Sequence, residues 1–363
     1  MRPRSPTMAS GRIPTPMILD LLILILSIGV LIFGAELLVR GAARLALRIG
    51  VSPFVIGVTV VGFGTSAPEL AASIASATSG HGEIAVGNVI GSNIMNIALV
   101  LGVTAMVLPI PVSRTVVRRE AIVAITVSFV PFLALARGGM VERPLGAAMV
   151  AGLLGFLYWT FRTSRTEGGM PIEAEVPDAP PRGPWRTVID LALVVIGIGM
   201  LVVGAELLVE SATSIARALG ISELVIGLTI VAGGTSAPEL ATSLMAVLRG
   251  RSDLGVGNIL GSCVFNMLGI LGITALVQPV TIPPEAFMFD IPVMIACSVA
   301  CLPILFTGHR ISRMEGAALV TGFAIYTSLL FIGWPFPADR GSGADPAPSI
   351  STPDRDPSED PGP

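Results

Sequence analysis

The sequence predicts an all-α polytopic membrane protein in which ten transmembrane helices form two inverted five-helix repeats, with helices 2 and 7 broken. Hydrophobic residues make up 52% of the 363 residues and charged residues only 13%, about half of the roughly 25% that is usual in soluble domains. The mean hydropathy is +0.82, and long apolar runs recur along the chain, as expected for membrane-spanning helices. In addition, Gly64–Leu70 returns letter for letter as Gly234–Leu240, 170 residues later.

The apolar runs, taken in chain order, divide the sequence into five parts. A tail over 1–16 precedes the first repeat, 17–161, and a polar, proline-rich linker over 162–186 precedes the second repeat, 187–334. Residues 335–363 are mainly Pro, Asp, Ser and Gly without periodicity, which predicts a disordered tail. The ten spans are expected at 17–39, 53–79, 83–108, 119–136, 144–161, 187–209, 223–248, 253–278, 287–307 and 315–334.

The internal repeat is the main architectural feature of the sequence. A shift of 170 residues aligns 28–102 with 198–272 without a gap, and 36 of the 75 aligned positions are identical. Each repeat holds five spans, an odd number, so the second repeat must enter the membrane from the opposite side. Inverted repeats of this kind are typical of secondary transporters whose site lies at the membrane midplane between the halves.

Arginine placement predicts the orientation of these spans. All 22 basic residues are arginines; 14 follow odd-numbered spans and 8 lie on the other side of the membrane. The positive-inside rule therefore puts both termini outside and the 162–186 linker in the cytoplasm. Arg2, Arg4 and Arg12 before the first run could mimic a signal peptide, but that run is too long and recurs in the second repeat.

Several functional classes find no support in the composition. Nucleic-acid binding is not expected, because no basic cluster is interleaved with aromatic residues. Three cysteines, Cys263, Cys297 and Cys301, form neither a disulfide framework nor a thiolate metal site. Cys297 and Cys301 lie one helical turn apart in an apolar run, which indicates small buried core residues. The two histidines, His81 and His309, fall in predicted loops.

The repeated Gly-Thr-Ser-Ala-Pro-Glu-Leu string carries the chemistry. Proline lacks an N–H and disfavours helix in the preceding residue, so span 2 is expected to break near residues 65–67 and restart at Pro68. Span 7 is expected to do the same at Pro238. A glutamate at bilayer depth costs about 3 kcal/mol or more unless it meets water, a partner or a cation. A proline kink for packing, with hydrogen-bonded glutamates, is the structural alternative. The predicted site residues of these strings are Thr65, Ser66, Glu69, Thr235, Ser236 and Glu239, with carbonyls freed at Gly62 and Ala232.

Spans 3 and 8 each carry a polar stripe with helical spacing. Asparagine, serine and asparagine recur at i, i+4 and i+8, so they share one face of each helix. Close helix packing explains the glycines beside them, whereas the amides and hydroxyls need polar partners. The stripes are Asn88, Ser92 and Asn96 in the first repeat, and Asn258, Ser262 and Asn266 in the second. The glycines are Gly87, Gly91, Gly257 and Gly261.

The pooled ligands are carboxylate, amide, hydroxyl and carbonyl oxygens, the set that hard cations prefer. Ca²⁺ takes 6–8 oxygens at about 2.3–2.6 Å, whereas softer metals favour cysteine or histidine. Two ionised glutamates, Glu69 and Glu239, give a local charge near −2, which one Ca²⁺ or two monovalent cations neutralise. A site filled either way, but never both at once, is the physical basis of antiport.

Other acidic residues are expected near the membrane surface. Glu36 and Glu206 form a second repeated pair near the ends of spans 1 and 6, where a structural ion pair and a place on the ion pathway are both open. Four further residues fall at predicted membrane edges and are expected to be solvated. They are Asp20, Glu83, Asp190 and Asp253.

The two Gly-Thr-Ser-Ala-Pro-Glu-Leu strings and the two Gly-Ser-x-x-x-Asn strings resemble the α-repeats of the cation/calcium exchanger superfamily, above all its prokaryotic sodium/calcium exchanger branch. The resemblance implies Na⁺-driven Ca²⁺ export by alternating access in a prokaryotic inner membrane. Lipid, Ca²⁺ and Na⁺ are the implied partners, with no cofactor and no obligate protein partner. The implied ligands are Glu69, Glu239, Thr65, Ser66, Thr235, Ser236, Ser92, Asn96, Ser262, Asn266, Gly62 and Ala232.

Two positions depart from the family pattern. The family often has asparagine where this chain has Cys263, a position that precedes the ligand face. Some members carry aspartate where this chain has Asn266, so one possible charge is missing here. This difference bears on the Na⁺:Ca²⁺ ratio and on any requirement for K⁺.

Three other functions compete with Na⁺/Ca²⁺ exchange. In a H⁺/Ca²⁺ exchanger the glutamates would cycle protons, although the neighbouring hydroxyls suit Na⁺ coordination better. An ion channel usually has symmetry about the membrane normal, whereas five-span inverted halves favour alternating access. An intramembrane enzyme with Ser66 or Ser236 as nucleophile would need a nearby base, and the sequence offers no histidine or lysine there.

Overall fold

A computed structural model describes residues 15–111, 114–166, 184–219, 232–307 and 310–332, which are almost entirely helical. The α-helices are α1 Thr15–Ile49, α2 Pro53–Ile56, α3 Gly62–Thr65, α4 Ala67–Thr78, α5 Gly82–Met95, α6 Gly102–Val107, α7 Arg114–Ser128, α8 Arg143–Thr166, α9 Pro184–Ala218, α10 Ala232–Thr235, α11 Ala237–Leu248, α12 Ser252–Val264, α13 Leu271–Val277, α14 Ile291–Thr307 and α15 Arg313–Phe331. Four segments have π-helical hydrogen bonding, Gly57–Val61, Asn96–Leu101, Phe265–Ile270 and Ala286–Asp290, and Val130–Arg137 is a 3₁₀ helix.

Among the described residues, six helices are long and apolar enough to cross a membrane. Pro53–Thr65 and Ala67–Thr78, which are bent by 43° at the break between them, make a seventh if the pair is one span. The spans Gly82–Val107 and Ser252–Val277 are mostly buried within the protein. The other spans expose large apolar side chains, such as Leu26 and Phe33, on their outer faces. Exposed apolar faces of this kind suit lipid contact.

Helices α1 and α9 are the longest elements and pack against each other along their length. Close approach at their crossing requires glycine, because a Cβ at Gly34 would lie 2.9 Å from the Met200 Cβ. A Cβ at Gly197 would lie 2.7 Å from the Leu38 backbone nitrogen. Both helices run beyond the expected spans of 17–39 and 187–209, since amphipathic turns rich in alanine and arginine continue them past the apolar run.

The buried centre of the molecule consists of α5 and α12 with their π-helical continuations. Both helices change to π-helical hydrogen bonding at equivalent places, at Asn96 in the first half and at Phe265 in the second. A π segment inserts one residue into a helical turn and is frequent at functional sites. The sequence periodicity did not predict these segments.

Contacts between the halves repeat with the 170-residue shift. Strand β1 (Ile110–Pro111) pairs antiparallel with β4 (Arg310–Ile311), and β2 (Met140–Val141) pairs with β3 (Val280–Thr281). These short pairs are the exception to the all-α prediction among the described residues. A shift of 170 residues converts one pair into the other, because β1 is equivalent to β3 and β2 is equivalent to β4. The hydroxyls of Ser128 and Ser298, which are equivalent positions, lie 3.2 Å apart. These contacts between the two halves are therefore reciprocal.

The described hydrophobic core separates into two clusters. The larger cluster surrounds α5 and α12 and includes Ile94 and Met267. The smaller cluster joins α1 and α9 through residues such as Leu38 and Leu201. This cluster also includes Ala246 of α11, so the pair α1 and α9 packs against the bundle through it.

Several predicted boundaries lie partly outside the described residues. The tail over 1–16 enters α1 at Thr15, and the linker over 162–186 is helical at both ends, since α8 ends at Thr166 and α9 begins at Pro184. Residues 220–231, within predicted span 7, lie outside the described part of the chain, as does the predicted disordered tail from residue 335.

Candidate ion-binding site

Both repeated strings interrupt a helix at the serine before Ala-Pro-Glu. Helix α3 ends at Thr65, Ser66 has φ −87° and ψ 7°, and α4 begins at Ala67 with Pro68 in its first turn. In the second half Ser236 has φ −90° and ψ 5°, and α11 begins at the next residue. The predicted break after Thr65 is confirmed, and it occurs because proline is favoured in a first helical turn but cannot continue the preceding helix.

The breaks bury two carboxylates from opposite halves next to each other. The side chains of Glu69 and Glu239 each belong to residues only 1% exposed. The Ser66 hydroxyl donates a hydrogen bond to Glu239 Oε1 at 3.0 Å, so a residue of the first string directly contacts the acid of the second. The two carboxylates are close enough to interact electrostatically. A cation between them would offset that repulsion.

Two asparagines of the polar stripes form hydrogen bonds with the broken helices. Asn88 Nδ2 donates to Ser73 Oγ at 2.9 Å and to the Glu69 carbonyl at 3.1 Å. Its equivalent, Asn258, donates to Ser243 Oγ at 2.9 Å and accepts from the Thr65 hydroxyl at 3.2 Å. These amides therefore position the glutamate-bearing helices, and the remaining stripe residues are the ones open to a cation.

Six buried oxygens of predicted site residues have no hydrogen-bond partner among the described residues. Burying a polar atom without a partner costs about 1–3 kcal/mol, so six such atoms on the repeated strings and the central helices favour a ligand. They belong to carboxylate, hydroxyl and amide groups, and the described residues contain no group of three histidine, cysteine, aspartate or glutamate side chains that would suit a softer metal. The six atoms are Glu69 Oε2, Glu239 Oε2, Ser236 Oγ, Ser262 Oγ, Asn96 Oδ1 and Asn266 Oδ1.

The remaining predicted ligands have different surroundings. Ser92 is buried beside this set, and Thr235 is half-buried with polar contacts of its own. The expectation that the break frees the Gly62 carbonyl is wrong, because that carbonyl accepts the Ser66 N–H at 3.1 Å. Proline removes the helical bond to the residue four positions earlier, which for Pro68 is Gly64. Ala232 begins α10, and its side chain lies outside the described set.

The glycines of the second stripe confirm the packing interpretation. A Cβ at Gly257 would lie 2.6 Å from the Phe54 carbonyl oxygen, and one at Gly261 would lie 2.6 Å from Val58 Cα. Nothing described lies within 4 Å of such a Cβ at Gly87 or Gly91. Their equivalent neighbours, at positions 224 and 228, lie outside the described residues.

Asn93 is a polar residue near the site that the sequence patterns did not single out. It is 1% exposed, and its Oδ1 accepts a hydrogen bond from Asn266 Nδ2 at 3.0 Å. Its position is equivalent to that of Cys263, which is buried in the core. The signal was present in the sequence, since Asn93 lies one helical turn before Asn96, but it falls outside the i, i+4 stripe.

Two acidic residues near the end of α1 that is closest to the linker, Glu36 and Asp190, form ion pairs with arginines. Glu36 pairs with Arg40 and, at 2.8 Å, with Arg249. Asp190 is 2% exposed and pairs with Arg48 at 2.5 Å, so the prediction that it is solvated is wrong. Structural pairing accounts for Glu36, whereas its equivalent Glu206 is exposed.

Three other groups near the membrane edges differ in their surroundings. The Asp20 carboxylate accepts a hydrogen bond from the Ser214 hydroxyl at 2.6 Å, and Glu83 is exposed as expected. Arg251, in the loop after α11, has its pKa lowered first by burial and then by the nearby Arg44. The arginines at this end of the molecule are therefore close enough to repel one another as well as to bind the acids.

Most of the chain matches a known protein family. The model of the family described as sodium/calcium exchanger protein matches residues 19–162 and 189–332, most of both halves. The chain belongs to the sodium/calcium exchanger family. The exchanger is 38% identical over 323 residues to the putative antiporter CaxA of Alkalimonas amylolytica, with 87% of this chain and 99% of that protein covered. It is 31% identical over 361 residues to the sodium/calcium exchanger MaX1 of Methanosarcina acetivorans, with 86% and 98% covered.

Solved structures agree with this assignment. The sodium-calcium exchanger NCX_Mj, soaked with Na⁺ and Sr²⁺, matches with a TM-score of 0.73 and 31% identity over 86% of this chain and 99% of that chain. The exchanger is thus a prokaryotic-type, multi-pass membrane transporter, a cation/Ca²⁺ antiporter and not an enzyme. Its ions are transported substrates, and exchangers of this family need no cofactor.

Proposed function

We propose that this protein exchanges Na⁺ for Ca²⁺ across the membrane by alternating access, and that Na⁺ entry normally drives Ca²⁺ export. The observation that carries the proposal is the set of six buried oxygens without partners among the described residues, two of which belong to carboxylates from opposite halves. Such a set matches the 6–8 oxygens that Ca²⁺ requires. The names of the relatives support the same pair of ions.

Charge balance explains why the two ions exclude each other. With Glu69 and Glu239 ionised, the site carries a charge near −2, which is matched by one Ca²⁺ or by two Na⁺. A third arrangement with both ions bound would leave excess positive charge at bilayer depth, which is expensive. Conversely, an unfilled site would leave two buried carboxylates facing each other, so the loaded forms are the ones that reorient.

We assign the ligand roles residue by residue. The two glutamates bind both cargo ions, and hydroxyls and amides from the breaks and the central helices complete the coordination. A carbonyl near the second break supplies a further oxygen. The proposed ligands are Glu69, Glu239, Thr65, Ser66, Thr235, Ser236, Ser92, Asn96, Ser262 and Asn266, with the carbonyl of Ala232.

The proposed topology has ten spans in two inverted five-helix repeats, with spans 2 and 7 broken. The crossed pairing of β1 with β4 and of β2 with β3 supports an antiparallel relation between the halves. Arginine distribution supports a cytoplasmic linker and external termini, in a prokaryotic inner membrane. We propose that a single chain in lipid suffices for exchange, without an obligate protein partner.

Ca²⁺ uptake into proteoliposomes with Na⁺, K⁺ and H⁺ gradients imposed one at a time tests the proposal. We expect uptake that requires Na⁺ inside and saturates with external Ca²⁺. Uptake driven by a pH gradient without Na⁺ would establish a H⁺/Ca²⁺ exchanger instead. A further requirement for K⁺ on the Na⁺ side would establish a K⁺-dependent exchanger, and flux without any counter-ion would indicate a channel.

A further inference from the structure

Asn93 lies in the centre of the molecule, where α5 of the first half meets α12 and its π-helical continuation from the second. Its Oδ1 accepts the Asn266 amide at 3.0 Å. Its own Nδ2 donates to the Cys263 carbonyl at 3.3 Å and contacts Met294 Sδ at 3.7 Å. Both polar atoms of Asn93 thus have partners within the protein.

The bond from Asn266 to Asn93 determines which end of the Asn266 amide is open. An amide is planar and carries an oxygen acceptor on one arm and a nitrogen donor on the other. Because the nitrogen is bound to Asn93, the oxygen points along the opposite arm, where it is buried without a partner among the described residues. The reverse orientation would turn the N–H groups toward that side, and N–H groups repel a cation.

We propose that Asn93 is a positioning residue that holds Asn266 with its oxygen presented to the transported cation. The inference rests on the proposed function, because it assigns a role at the same site. Partners of this kind behind ligand residues typically change metal affinity by about 10- to 100-fold when removed.

The equivalent position in the other half does not provide the same support. Asn96 is the counterpart of Asn266, and the residue equivalent to Asn93 is Cys263. The Asn96 side chain lies near the Cys263 thiol, but a thiol is a weak acceptor. The two halves therefore contribute unequal amides: Asn266 is oriented before the cation arrives, and Asn96 is held less firmly.

The Asn93→Leu variant removes the acceptor while keeping a buried side chain of similar size. We expect the KM for Ca²⁺ in proteoliposome uptake to rise about 10-fold or more, with the maximal rate within about twofold of wild type. Equilibrium ⁴⁵Ca²⁺ binding to the purified protein is expected to weaken by the same factor. An unchanged KM and an unchanged binding constant would overturn the proposal.

A double-mutant cycle separates positioning from general damage. If Asn93 acts through Asn266, Asn93→Leu has no further effect on Ca²⁺ binding in an Asn266→Ala background. Losses that multiply in the double variant would contradict the inference. Met294→Leu is the matched control, because it removes the other side-chain contact of Asn93 and keeps the bond to Asn266; its KM is expected to equal that of wild type.

The Cys263→Asn variant tests the same idea by gain of function. An amide at position 263 would give Asn96 the acceptor that Asn266 already has, so we expect a KM for Ca²⁺ about threefold lower. An unchanged or higher KM would count against the unequal support of the two halves. Wild-type protein that bound no Ca²⁺ would refute the proposed function itself, whereas wild-type binding with an unaffected Asn93→Leu variant would refute this inference alone.

Discussion

At the residue scale, the proposed ion site depends on Glu69 and Glu239, whose Oε2 atoms are buried without partners among the described residues. Replacing either by glutamine removes one unit of negative charge and several kcal/mol of attraction for a divalent ion. We therefore expect Glu69→Gln and Glu239→Gln each to lower Na⁺-dependent Ca²⁺ uptake by about 100-fold or more.

Both variants are expected to fold, because a neutral isostere at a buried charge relieves desolvation and repulsion rather than leaving an unpaired group. Thermal unfolding in detergent without Ca²⁺ would show a Tm equal to or above that of wild type. Glu83→Gln is the matched control, since Glu83 is exposed at the start of α5 and its removal leaves uptake unchanged. Wild-type uptake by either glutamine variant would remove that carboxylate from the ligand set.

Most residues of the candidate site can be predicted from the sequence, because they lie in the two repeated motifs. Glu69 and Glu239 stand out because a charge in an apolar run needs a reason, and the repeat marks both at once. Asn93 did not stand out, because its role depends on a contact with the other half that no local pattern contains. Asp190 was placed at a solvated edge for the same reason, since Arg48 lies 142 residues away in sequence.

At the element scale, the break between α3 and α4 sets the direction of the hydroxyls. Pro68→Ala restores an N–H that can bond to the Gly64 carbonyl and reduces the 43° bend. The hydroxyls of Thr65 and Ser66 would then leave their partners Asn258 and Glu239. We expect the KM for Ca²⁺ to rise roughly tenfold or more, as for other misplaced ligands.

The free energy of unfolding is expected to change little in this variant, because the missing N–H of a proline in a first helical turn costs the helix no hydrogen bond. Pro53→Ala is a suitable control, since Pro53 also begins a helix, α2, but does not precede a glutamate. Ca²⁺ uptake by Pro53→Ala should match wild type. If Pro68→Ala also matched wild type, the bend would have no part in forming the site.

Helix periodicity predicted the elements better than their hydrogen bonding. The spans at 83–108 and 253–278 agree with the observed spans Gly82–Val107 and Ser252–Val277 to one residue at each end. Their π-helical segments are not predictable from the sequence, because the apolar pattern is the same for α-helical and for π-helical hydrogen bonding. Likewise, the short β pairs depend on loops that meet only after both halves have packed.

At the scale of the whole molecule, the two halves are equivalent in fold but not in charge. Glu36 on α1 pairs with Arg40 and Arg249, whereas the positions equivalent to these three hold Glu206, Glu210 and Ser79. Among the described residues, the arginine pairs of this glutamate therefore lie at the end of the molecule nearest the linker. Arg249 follows α11, so its bond joins the α1–α9 pair to the bundle, whereas Arg40 lies on α1 itself.

We expect alternating access to move α1 and α9 against the bundle, and this movement would break the Glu36–Arg249 pair and spare the Glu36–Arg40 pair. Arg249→Gln is expected to favour the conformation open toward the linker side, and to lower the KM for Ca²⁺ measured from that side. The Arg249 side chain is about half exposed, and a pair of this exposure contributes about 0.2–1 kcal/mol. The expected shift is therefore up to about fivefold.

Side-specific Ca²⁺ uptake into proteoliposomes with known orientation measures this shift. The KM from the opposite side is expected to rise, because the same population change lowers the fraction open there. Arg40→Gln serves as the control, since it removes an arginine bound to the same carboxylate but leaves the contact between the α1–α9 pair and the bundle intact. Equal effects of the two substitutions would show that the charge of Glu36, and not the link to α11, sets the balance between the conformations.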